Sequence, residues 1–275
     1  MSTPHNRHRL RLSRRAFTLI EIMVSISVIA VLVSLALPGL ARAREGAKQT
    51  QALANIRTVG SAFMMYADQY QYMPFVGKGR PPVGQAQTEG TPPMDEDVLG
   101  VYWWPRGTII ATSDHWELAW LWPAPLSVMF PWEDHYATWV SVGRRRTLPE
   151  TGQYIGDIQR TISLRYSNAF LASGQLWAKE PSAAPTENLV RGTRITDVRS
   201  PARKVLLWDG DLSYLVREPE RVGEHYKAPT PMAFADGHAA VHDPTVAKGP
   251  VKNPLSGYDA MTLHDTENGV AGEDY

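Results

Sequence analysis

The chain of 275 residues sets 28 lysines and arginines against 28 aspartates and glutamates, is 43% apolar and contains no cysteine. That length allows one or two domains with a sizeable core, and the missing cysteines exclude disulfides, thiolate nucleophiles and thiolate metal sites. Zero net charge argues against a globally basic nucleic-acid binder, so no nucleic-acid partner is expected.

The charge is unevenly placed. Arg7, Arg9, Arg11, Arg14 and Arg15 precede residue 16 without a single acid, leaving the remainder mildly acidic. From Ala16 to Leu37 the chain reads AFTLIEIMVSISVIAVLVSLAL, about 22 almost wholly apolar residues, long enough to cross a membrane as a helix. Positive charge stays on the cytoplasmic side, so the rest of the chain is expected on the other face. Glu21 is the anomaly in this run. A carboxylate there costs about 2.5–3.5 kcal/mol on insertion scales, so it asks for a partner.

The segment RRAFTLIEIMVSISVIAVLVSLALPGL resembles the start of type IV prepilins and type II secretion pseudopilins. The resemblance implies cleavage between Ala16 and Phe17 by a prepilin peptidase, and methylation of the new Phe17 amine by the same peptidase/methyltransferase. It implies that Glu21 pairs with the Phe17 amine of a neighbouring subunit during assembly, and that Pro38 is the helix-bending proline of these families. It also implies a single-pass protein of the bacterial inner membrane, with its N-terminus cytoplasmic and its C-terminal domain periplasmic. The partners would be other pilin-like subunits, in a homo- or heteropolymer that stands outside the cell or in the periplasm. Ala16 departs from the glycine usual before the cut. A competing resemblance, to a twin-arginine export signal at Ser13–Phe17 with a peptidase site at Ala41-Arg42-Ala43, would start the mature chain at Arg44. Glu21, the length of the apolar run and the helical pattern continuing past Ala43 weigh against it.

Beyond Pro38, Leu53, Ile56, Gly60, Phe63, Ala67 and Tyr70 recur three or four apart. This stripe predicts one helix from Phe17 to about Tyr72, ended by Pro74, whose second half packs on a globular domain. The expected organisation is a basic leader (1–16), a transmembrane and assembly helix (17–38), an amphipathic second half of the same helix (39–73), a loop or linker (74–100) and a globular α+β domain (101–275). Gly77-Lys78-Gly79-Arg80, in the linker, lacks the spacing of a phosphate loop. Trp103, Trp104, Trp116, Trp120, Trp122, Trp132 and Trp139 are seven of the nine tryptophans. They either fill the core of a loop-rich domain or form a sugar-binding or subunit-contact surface.

The carboxyl half reads as strands at Ile162–Leu171, Lys204–Trp208 and Pro231–His242, the last folded back at Asp236-Gly237 in a tight hairpin with both central residues at positive φ. Ser200–Asp211 (SPARKVLLWDGD) followed by His225 and, eleven residues on, Asp236-Gly237 resembles a bacterial family of prepilin-like proteins whose carboxyl ends carry a histidine, some nine residues, then Asp-Gly. The spacing here is one residue longer.

His238 and His242 with Asp236 and Asp243 make a transition-metal site conceivable, and Asp209, Asp211 and Asp236 a calcium site, though neither set is complete and a turn-forming role competes. No cofactor is otherwise implied. The chain has no Gly-x-Ser-x-Gly elbow, no His-Glu-x-x-His and no Gly-x-Gly-x-x-Gly, and Arg144-Arg145-Arg146 reads as a solvated basic run. The fold expected is α+β, a long N-terminal helix, half of it transmembrane, on a mainly antiparallel sheet, as in pilins. The function expected is a structural, non-enzymatic pilus or pseudopilus subunit. The alternative is a membrane-anchored or exported domain that binds carbohydrate or protein and never polymerises.

Overall fold

The computed structural model describes residues 18–75, 100–103, 109–112, 119–120, 122–126, 129–144, 162–179, 192–223, 225–253 and 259–275. Two compact units divide at Arg44, Met1–Arg44 and Glu45–Tyr275. Helix α1 spans Leu19–Tyr70 and contains Pro38 without interruption. In the first unit its side chains are exposed, Leu19, Ile22, Leu32 and Leu35 among them. The segment is long and apolar enough to cross a membrane.

In the second unit α1 buries the predicted stripe. Ile56, Gly60, Phe63 and Ala67 are inside and Leu53 and Tyr70 lie against the same core. The helix stops at Tyr70, two residues short of the expected end, and Gln71 closes it with left-handed backbone (φ 66°) while its N–H donates to the Ala67 carbonyl. Met73 and Phe75 are buried just beyond, the Met73 N–H bonding to Thr193. The rest of the expected 74–100 loop lies outside the described residues, apart from Gly100.

Four antiparallel strands form the main sheet in the order β3-β4-β7-β8. They are β3 (Leu164–Tyr166), β4 (Val205–Asp209), β7 (Thr230–Phe234) and β8 (Ala239–His242). Two-stranded ribbons are made by β1 (Gly100–Trp103) with β2 (Ile109–Thr112), and by β5 (Arg221–Val222) with β6 (His225–Tyr226). Short helices α2 (Pro123–Leu126) and α3 (Trp132–Trp139) complete the set.

One face of the sheet presents Leu164, Tyr166, Leu207 and Ala233 to the core of α1, Trp122 and Trp139. A register shift between Val205 and Leu207 places Leu206 in that core as well. The opposite face, with Val205, Trp208, Met232 and Phe234, is covered by Leu263 and Tyr275.

Two strand expectations are corrected. The strand expected over Ile162–Leu171 is only Leu164–Tyr166, because Ser167 turns the chain away. Its N–H donates to Leu206, its hydroxyl donates to the Leu263 carbonyl, and Asn168–Phe170 form a 3₁₀ turn. The hairpin at Asp236-Gly237 exists, but only Gly237 has positive φ (87°). The Gly237 N–H donates to Phe234 O at 3.0 Å and the Phe234 N–H to His238 O at 2.9 Å, so the loop is three residues with a glycine bulge. Asp236 keeps ordinary backbone because its carboxylate accepts the His238 N–H at 3.0 Å, and the His238 ring stacks on Phe234 at 4.3 Å.

Candidate functional site

Ala16 and Phe17 lie outside the described residues. Immediately after them, Thr18 and Glu21 close on each other at the start of α1. The Thr18 N–H donates to Glu21 Oε2 at 2.8 Å, the Thr18 hydroxyl donates to the same oxygen at 2.9 Å, and the Glu21 N–H donates back to Thr18 Oγ1 at 3.2 Å. This is a capping box, in which a threonine and the glutamate three residues later satisfy each other's amides. The carboxylate also sits at the positive end of the helix. Charge in the apolar run is thus met within the chain. Thr18 was not among the residues singled out from sequence, although Thr-x-x-Glu is the recognisable pattern.

Along the 22 residues that follow Thr18, Glu21 is the one ionisable side chain. Ser25 and Ser27 return their hydroxyls to carbonyls four residues back, and Ser34 to one three residues back. What the helix offers its surroundings is therefore an apolar surface with one carboxylate at its end.

The carboxylates considered for calcium occupy two places. Asp209 is buried at the end of β4. Its Oδ2 accepts from the Ser141 hydroxyl at 2.8 Å and its Oδ1 from the N–H groups of Asp211 and Leu212 at 3.0 and 3.1 Å. Burial pushes its carboxyl up to about 6, against these three donors. Asp211 is held by Arg144, by the Ser163 hydroxyl at 2.7 Å and by Arg165 Nη2 at 3.7 Å. Arg165 in turn lies 3.7 Å over the Trp120 ring.

Asp236 is at the other end of the sheet. Trp208 pairs with Met232, and Asp236 lies beyond Phe234, which pairs with Val205. At about 3.3 Å per residue the ladder keeps it well away from Asp209. Asp236 Oδ1 contacts His238 Nδ1 at 2.5 Å; slight burial would raise its carboxyl, but the bonds from His238 prevail and hold it below the usual range. His238 and His242 both flank Phe234, at 4.3 and 5.2 Å between ring centroids. Among the described residues no three His, Asp or Glu side chains gather as a metal ion requires.

His225, of the second resemblance, is buried on β6. Of the seven clustered tryptophans, Trp122 and Trp139 are core residues in edge contact at 5.2 Å, the Trp122 indole donating to Leu164 O at 3.2 Å, and Trp120 is half-buried beneath Arg165. The side chains of the other four lie outside the described residues, as do Arg145 and Arg146.

Residues 11–37 match the family model of the prokaryotic N-terminal methylation motif. No curated protein and no solved structure matches the chain. The motif coincides with the basic leader, the capping box and the start of the apolar helix, so the chain carries a prepilin-type N-terminus that opens a long apolar helix ahead of an α+β domain.

Proposed function

We propose that the chain is a structural subunit, not an enzyme, that is cut between Ala16 and Phe17, methylated on Phe17, and assembled into a pilus or secretion pseudopilus through α1. The observation that carries this reading is the methylation motif at the start of a helix whose first 22 residues present an exposed apolar surface with a single carboxylate, Glu21. Before assembly the subunit is anchored in the inner membrane with its domain on the periplasmic side. Assembly moves the apolar helix from lipid into a bundle of like helices, and head-to-tail contacts give an open filament.

Glu21 supplies register in that step. Its carboxylate, held by Thr18 in the single chain, exchanges these donors for the Phe17 amine of the neighbouring subunit, a charge-assisted partner. Pro38 gives the helix its bend. Mass spectrometry of the N-terminus of protein recovered from host membranes tests the processing, and N-methylated Phe17 is the expected result; a start at Arg44 overturns the reading. Glu21→Ala is expected to leave membrane insertion intact and to remove filaments, and filaments in normal number would refute the pairing role.

A further inference from the structure

We propose that Lys204 and Asp274 become joined by an isopeptide bond that the folded domain forms by itself. Lys204 lies just before β4 with its side chain wholly buried, its Nζ 3.2 Å from Asp274 Oδ1 and 3.1 Å from Oδ2. Asp274 is equally enclosed, and its backbone is pinned on both sides. Its N–H donates to Arg203 O at 3.0 Å, and its carbonyl accepts from the Lys248 N–H at 2.8 Å. Nucleophile and acyl group are therefore held at reacting distance in a site closed to water.

The groups around the pair match what amide formation needs. Thr266 Oγ1 accepts a hydrogen bond from Lys204 Nζ at 2.5 Å and donates one to Asp274 Oδ1, a proton path from amine to carboxylate. The Val205 N–H donates to Asp274 Oδ2 at 2.7 Å, where negative charge develops on attack. The Phe170 ring lies 5.9 Å from Nζ. Burial pulls the Lys204 ammonium below the usual lysine range, against the opposing charges of Asp274 and Asp265, which favours the neutral amine.

The step balances without an oxidant or co-reactant. A proton passes from Nζ through the Thr266 hydroxyl to Oδ1, leaving a neutral amine and a neutral carboxyl. The amine lone pair adds to Cγ, a C–N bond forms, and Oδ2 takes the charge beneath the Val205 N–H. On collapse the Cγ–Oδ1 bond breaks, a second proton from nitrogen reaches Oδ1, and one water leaves. The product is a neutral amide in place of two buried charges, and it ties β4 to a segment 70 residues away. It requires neither leader cleavage nor polymerisation, so it stands or falls separately from the function proposed above.

The test is the mass of the full chain recovered from membranes, measured denatured, followed by tryptic mapping. The expected protein is one water lighter than the mass set by whichever N-terminus it carries, with Lys204 uncut and linked to the peptide containing Asp274. Asp274→Asn is expected to form the same branch with loss of ammonia instead of water, and Thr266→Val to lower the linked fraction. Full mass with cleavage after Lys204 in the wild-type chain overturns the proposal, and this reading depends on no variant folding. A water loss mapped to Asp209-Gly210 or Asp236-Gly237 as a succinimide overturns it equally.

Discussion

Gly60 on α1 and Ala233 on β7 approach so closely that a β-carbon at position 60 would lie 3.0 Å from that of Ala233. The helix meets the sheet through this bare point, and Phe63 and Ile56 fill the space on either side. Gly60→Leu is expected to push α1 off the sheet and to cost about 1–3 kcal/mol, read from urea unfolding of the detergent-solubilised chain. Gly60→Ala is expected to fall near neutral, since a few tenths of an ångström of adjustment is offset by the better helix propensity of alanine, at most about 1 kcal/mol.

Asp209 gives the domain an acid-side stability gain. Its carboxyl, ordinarily near 3.8, is raised to about 6 by burial, so the folded state binds the proton more tightly than the unfolded chain. Stability is therefore expected to rise as pH falls from about 6 towards 3.8. Asp209→Asn is expected to flatten that part of the melting-temperature profile. Asp209→Ala is expected to cost about 1–3 kcal/mol at neutral pH, and more as pH falls through that window, because the N–H groups of Asp211 and Leu212 and the hydroxyl of Ser141 lose their acceptor and the proton-linked gain is lost.

Glu273 acts in the opposite sense and in a lower window. Bonds from Lys248 and Ser200, with the charges of Lys248 and Arg203, hold its carboxyl down to about 2 from an ordinary 4.5. Its contribution is fully present above 4.5 and is lost as pH falls towards 2. Glu273→Gln is expected to remove that acid limb and to leave the Asp209 region of the profile unchanged. Thermal melts of the two variants across both windows check this.

Gly237 is the residue on which the β7–β8 loop turns. With φ at 87° it has space for a methyl group, the nearest atom being Met64 Cγ at 3.8 Å, so the cost of Gly237→Ala is one of backbone alone. That cost is expected at about 1–2 kcal/mol, measured by chemical denaturation.

The parts of this molecule readable from sequence are those written in short-range pattern. The stripe from Leu53 to Tyr70 named the buried face of α1, and Asp236-Gly237 named the hairpin, because each is set by residues a few positions apart. The type of loop differs from the expectation, since the His238 N–H donating to the Asp236 carboxylate, and the His238 stack on Phe234, keep Asp236 out of the left-handed region. Asp209 bonds to Ser141, 68 positions away, and Lys204 to Asp274, 70 away. No local periodicity encodes either pair. Aspartates that looked like cation ligands in the sequence meet hydroxyl and amide donors and two arginines in the fold.

The cover that Leu263 and Tyr275 give to the outer face of the sheet sets an order of events in biosynthesis. Strands β4 and β7 leave the ribosome before this cover does, carrying Trp208, Met232 and Phe234 uncovered. At roughly 5–20 residues per second the interval is a few seconds, during which an apolar sheet face is open to wrong partners. A nascent chain in which Phe234 has left the ribosome and Leu263 has not is thus the form on which a holding chaperone would act.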